Sequence, residues 1–191
     1  MDRYHIALFI HLMTLMVAAG ATAVTKLAAG RRARARTVGE VLEWHNVLES
    51  AAKVFPICLV VFVVTGAYML SIAHVAVWSS GFVVAGLVGS ALLFASGGYL
   101  GAKGAALRKI LEQVASKGAD QPAPKLVPPA LVAALPLVNT GIAVSVAFDM
   151  VTKPASIPVA LGVIAIGIVL GAAKGLQRPA VSVQPSPAAQ A

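Results

Sequence analysis

The chain is short of charge. Only 12% of its 191 residues are Asp, Glu, Lys or Arg, about half the share usual in a soluble domain. Acids are scarcest, with seven Asp and Glu in all, and none is plainly paired within an apolar run. A carboxylate acid–base pair is therefore not expected. The one cysteine, Cys58, cannot form an internal disulfide, and its lone presence says nothing about redox compartment. No phosphate loop of the Walker type, no nucleophile elbow, no HxxxH and no CxxC occurs. These absences point away from an enzyme.

What fills the chain is apolar. Hydrophobic residues make up 59% and the mean hydropathy is +0.87, an excess that a water-soluble core cannot absorb. Five runs reach the roughly 20 residues that a helix needs to cross hydrocarbon: residues 4–28, 51–73, 81–102, 129–150 and 155–173. They are too long for barrel strands and do not alternate. Backbone groups in lipid must be satisfied within the segment, so each run is read as a helix. The expected fold is all-α, a polytopic bundle of five transmembrane helices over residues 1–176. Residues 177–191 are low in complexity and are expected to form a disordered tail.

The net charge of +8 is unevenly spread. Every Lys and Arg except Arg3 and Lys153 falls at the first connection, the third connection or the tail. Basic connections stay cytoplasmic. With five crossings this places the N-terminus outside and the C-terminus inside a bacterial cytoplasmic membrane. The first run is not read as a cleaved leader, because its arginines follow the apolar stretch rather than precede it.

The first connection, GRRARARTVGEVLEWHNVLES, begins with a cationic block, Arg31, Arg32, Arg34 and Arg36. Each is expected at anionic headgroups, at about 1 kcal/mol per basic residue near the surface. Topology alone accounts for the block, so nucleic acid is not an expected partner. Thr37 and Glu40 have the spacing of a capping box. Val38, Val41, Leu42, His45 and Leu48 then share one helical face, which predicts an amphipathic interfacial segment over about 37–50. A second amphipathic segment, about 103–118, continues the third span and ends in a Pro-rich linker. Gly97 with Gly101, and Gly167 with Gly171 and Gly175, have the four-residue spacing that lets helices approach closely. Packing within the bundle is the expected use, and a partner helix the other. Pro136 and Pro158 are candidates for kinks in the last two spans.

Polar groups at membrane depth mark candidate sites. His11 lies in an unbroken apolar run, about 10 Å along the first helix. The same half of the bundle should collect His5, His74, Met69, Thr65, Asp149 and Met150. Imidazole and thioether suit copper, and imidazole also binds haem iron. His11, His5 and His74 are thus candidate cofactor ligands, and His11, Met69 and Met150 a candidate metal set. The bland alternative is histidine bonded to a neighbouring helix, with methionines used only for packing.

The stretch FIHLMTLMVAAGA, with His11 nine residues before Gly20, resembles the opening helix of a bacterial membrane superfamily. That superfamily includes CopD-like copper-resistance proteins, HemJ-like protoporphyrinogen oxidases and a family of predicted integral membrane proteins. The second span, KVFPICLVVFVVTGAYML, is similar to the last of these in Pro56 and Thr65-Gly66-x-Tyr68. The resemblance covers about the first 75 residues and implies that His11 is the family histidine, linked in HemJ-like members to haem or porphyrin. Ala18 stands where the family usually has Trp, and spans three to five lack the lysine of HemJ-like oxidases. Binding is implied more than oxidation. Ala7-xxx-His11-xxx-Leu15 also resembles the ligand pattern of antenna polypeptides, which implies a subunit of a larger respiratory or photosynthetic complex. A small-solute transporter, using Asn139 and Thr140 in span four, is the remaining alternative.

Overall fold

A computed structural model describes residues 2–124 and 128–177. Lys125, Arg178 and the rest of the expected tail lie outside the described residues. The fold is all-helical: α1 Arg3–Arg32, α2 Val38–Ala52, α3 Val54–Ile72, α4 Gly81–Ala115, α5 Ala130–Thr152 and α6 Ile157–Leu176. A single 3-10 turn, Val77–Ser79, precedes α4. Among the described residues five helices are long and apolar enough to cross a membrane, with α2 and α3 counting as one.

Three of these five outrun the bilayer. The 30 residues of α1 and 35 of α4 rise about 45 and 52 Å at 1.5 Å each, against a hydrocarbon core of about 30 Å. The segment 103–118 is thus no separate element through Ala115, but the continuation of span three. Lys53 keeps right-handed helical angles (φ −64°, ψ −16°), so α2 runs into α3 without a loop. These extensions gather at one end, called here the basic end, with the Arg31–Arg36 turn.

The face of α2 is the one its spacing predicts, with Val38, Val41 and His45 buried. The face packs on α1 and α4, because the overlong helices supply protein to cover it. Thr37 caps α2 by accepting from the Glu40 N–H at 3.3 Å, and the Glu40 carboxylate accepts from the Arg36 N–H at 2.7 Å. Carbonyls of the linker after α4 satisfy two more first-turn donors: Val38 N–H to Gln121 and Gly39 N–H to Ala119, both 3.0 Å. The linker is docked there, not free.

Within the membrane the helices form two groups. α1 packs on α3, while α5 packs on α6 and both pack on α4; contact between α3 and α4 is sparse. The α5–α6 seam is built on Gly141, Gly167, Gly171 and Gly175. A Cβ on Gly167 would lie 2.6 Å from the Gly141 carbonyl oxygen, and one on Gly171 equally close to that of Leu137. Backbone meets backbone, the contact that drives helix association where lipid is as apolar as protein. Gly97 and Gly101 differ: both are exposed, with nothing within 4 Å of an added Cβ, so they pack against no other part of the described chain. Pro158 sits at the start of α6, where proline is tolerated, and produces no kink; Pro136 lies inside α5.

Gly167→Leu should overpack the α5–α6 seam and cost about 1–3 kcal/mol or more. Gly97→Ala should leave stability unchanged or raise it by up to about 1 kcal/mol. Reversible unfolding in mixed micelles, monitored by circular dichroism, checks both.

Candidate functional site

The imidazole of His11 is seated on α3. Its Nδ1 lies 2.8 Å from Thr65 Oγ1. The Thr65 hydroxyl donates its own proton back to the Val61 carbonyl at 2.7 Å, the usual habit of threonine in an apolar helix. With its proton spent there, the oxygen offers His11 a lone pair, which favours the tautomer with its hydrogen on Nδ1. That tautomer leaves Nε2 unprotonated, with its lone pair directed away from that bond. Phe62 meets the ring edge to face, centroids 4.9 Å apart. Gly66 keeps α3 bare beside it, an added Cβ coming only to 4.0 Å of Cε1. The Thr65-Gly66-x-Tyr68 ending of span two thus forms one wall of the histidine's seat. A cleft of about 410 Å³ runs alongside between α1 and α3, apolar except for Arg3, Thr65 and Tyr68.

The other candidates do not converge on His11. His5 is exposed and lies 3.8 Å from the Asp2 carboxylate. The six-position separation of His5 and His11 sets them about 9 Å apart along the helix and about 120° around it. His74 is exposed with φ 52°, and closes α3 in the left-handed position that glycine usually takes, with Val75 N–H bonded to the Leu70 carbonyl at 3.2 Å. Its role is to end a helix. Met69 is one turn from Thr65 along α3. Met150 is on α5 with its Cε against Gly86 of α4, whereas α1 packs on α2 and α3. The set His11, Met69 and Met150 is therefore split between the two helix groups. No group of three or more His, Cys, Asp or Glu able to hold a metal occurs among the described residues.

A buried histidine, not expected to belong to a site, ties the basic end together. His45, 1% exposed, accepts at Nδ1 from Arg32 Nη1 at 2.9 Å and donates from Nε2 to the Gly104 carbonyl at 3.0 Å. One ring joins α1, α2 and α4. Arg32 is accordingly turned inward, unlike Arg31, which lies over the Trp44 ring at 5.8 Å, and Arg34, which with Arg31 lines a separate cleft of about 440 Å³. Burial holds the His45 imidazole below the ordinary histidine value; the Gly104 carbonyl opposes this and the Arg32 charge adds to it. The apolar spacing of α2 marks His45 as inward-facing, but nothing in the spacing names Arg32 as its partner.

Asn139 accepts at its side-chain oxygen from Ser96 Oγ at 2.7 Å, linking α5 to α4. Asp149, on the buried face of α5, is 0% exposed. Comparison with protein-family models, with curated proteins and with solved structures finds no match to this chain.

His45→Ala removes both bonds and strands the Arg32 guanidinium, at about 2–4 kcal/mol. A histidine kept neutral in the fold binds its proton only when unfolded. Stability should therefore be flat above about pH 6.5 and fall as pH drops below it. Unfolding midpoints across pH 5–8 (a range of about 3 units around that value) should show this slope in the wild type and less of it in His45→Gln.

Proposed function

We infer that this chain is a non-catalytic binding protein of the bacterial cytoplasmic membrane, holding a haem-class metal macrocycle through His11. The observation that carries the reading is the seat of the ring: Nδ1 pairs with Thr65, whose hydroxyl is spent on the Val61 carbonyl, and Thr65 itself lines the apolar cleft between α1 and α3. Histidines that ligate metals nearly always donate their other ring N–H in this way. The donor set fits a group needing one axial nitrogen. The set His11, Met69 and Met150 is not assembled as a copper site, since Met150 lies against Gly86 in the other helix group, and no cluster of three or more His, Cys, Asp or Glu occurs among the described residues. When bound, such a group supplies an iron centre for electron transfer or ligand binding. The chain's own residues bind and orient: His11 Nε2 as ligand, Thr65 as the residue that sets the ring, and Arg3 as a counter-charge for carboxylate side chains of the ligand.

The charge distribution supports N-terminus outside and C-terminus inside, with Arg31 and Arg34 available to anionic headgroups. A second reading, a structural subunit of a larger membrane complex or a homo-oligomer, rests on the bare Gly97–Gly101 face of α4. Extraction in mild detergent as a lone monomer would remove it. For transport, the polar pair of span four offers little, since Asn139 is already engaged by Ser96.

The purified chain should take up haem with a Soret band. Thr65→Val should weaken uptake about 10–100-fold, and His11→Ala should abolish it. A wild-type chain with no Soret band after haem titration refutes the reading. Topology is checked separately: in a Cys58→Ala background, Arg34→Cys should react with an impermeant thiol reagent only after the membrane is opened.

A further inference from the structure

Asp149 is the most enclosed ionisable group in the described chain. Its residue exposure is 0%, and neither carboxylate oxygen has a hydrogen-bond partner among the described residues. It lies three residues before the end of α5 at Thr152, about 4.5 Å inside the end opposite the basic one. Its face of α5 continues through Ser145 and Ile142, both buried, and that face is closed by α4 and α6. Ile142 on that face belongs to a tight apolar cluster with Ala85 of α4 and Ala160 of α6, both 0% exposed.

An isolated carboxylate in such surroundings costs far more than its uncharged acid. The usual remedies are missing. On the half of α4 that faces α5 here, Gly81–Tyr99, the sequence holds no Asp, Glu, His, Lys, Arg or Cys. On α6 the one charged residue is Lys174, at the basic end. Lys153, in the connection to α6, donates its backbone N–H to the Asp149 carbonyl at 2.8 Å, but its side chain is exposed and reaches neither oxygen. His74, also at this end, is exposed. No cluster able to hold a metal ion includes Asp149 among the described residues.

The geometry points to Asp149 as a proton-binding site: a carboxyl held as the neutral acid at neutral pH, one turn within the membrane end that carries the N-terminus. This site is independent of His11 and of any macrocycle. An intramembrane acid of this kind is also a modification site for a hydrophobic carbodiimide. The acid adds across one C=N bond, its proton passing to nitrogen and its oxygen bonding to the central carbon. The acyl group then shifts to nitrogen to give a stable N-acylurea, with no leaving group and no redox change.

Infrared spectroscopy of the purified full chain at neutral pH tests the proposal. The expected result is a protonated-carboxylic-acid C=O band in the wild type that is lost in Asp149→Asn, with the unfolding midpoint of the variant unchanged, because the amide mimics the neutral acid in size. Absence of the band, or its survival in Asp149→Asn, overturns the proposal. Should that variant not fold, dicyclohexylcarbodiimide treatment of the wild type and peptide mass mapping decide it. An adduct on Asp149 supports the site, and adducts confined to the other carboxyls overturn it.

Discussion

Hydrocarbon offers no hydrogen bonds, and the rest of this structure answers to that fact. Each membrane-depth backbone closes on itself as a helix. The hydroxyls follow the same rule: Thr14 bonds Ile10, Thr22 bonds Ala18, Thr140 bonds Pro136 and Thr152 bonds Phe148, each through the carbonyl one turn back. Side chains satisfied in this way ask nothing of neighbouring helices. Association is left to close fit, and the glycines of α5 and α6 supply it. Against this background the few polar groups that do reach between helices stand out: His11 with Thr65, Ser96 with Asn139, Ser145 with the Val163 carbonyl, and, at the basic end, His45 with Arg32 and Gly104 and Arg108 with Glu49.

Much of the fold was legible in the sequence. Composition and run length alone give an all-helical bundle with five spans, because the hydrophobic demand of a bilayer is coarse and needs no partner information. The inward face of α2 was legible from spacing, and so was the Gly167–Gly171 contact. What covers each face was not. The same four-residue glycine spacing buries Gly167 against α5 and leaves Gly101 bare, since spacing records what a helix permits and not which helix arrives. The length of α1 beyond the hydrocarbon was hidden, because its basic last turn reads as a connection, whereas the continuation of span three past residue 102 was legible from its apolar stripe.

The candidate site was half legible. An imidazole in an apolar run identifies His11 without help from structure. Grouping it with Met150 assumed that residues at one depth share one place. Depth fixes a single coordinate; the separation of α1 and α3 from α5 and α6 supplies the second, and it divides the group. Thr65 lay within that predicted half, yet its importance comes from a proton count, the hydroxyl spent on Val61 and the ring nitrogen therefore donating, which requires coordinates.

The glycine seam has a mechanical consequence. With main chains in direct contact over several turns, α5 and α6 can neither slide nor roll against each other without collision, so they behave as one stiff beam. The compliance of the molecule is then concentrated where α3 meets α4 most thinly, while the ring of His45 pins the opposite end. Thermal motion of the bundle should be a hinge-like opening about that pin, widest at the end of the chain that carries the N-terminus.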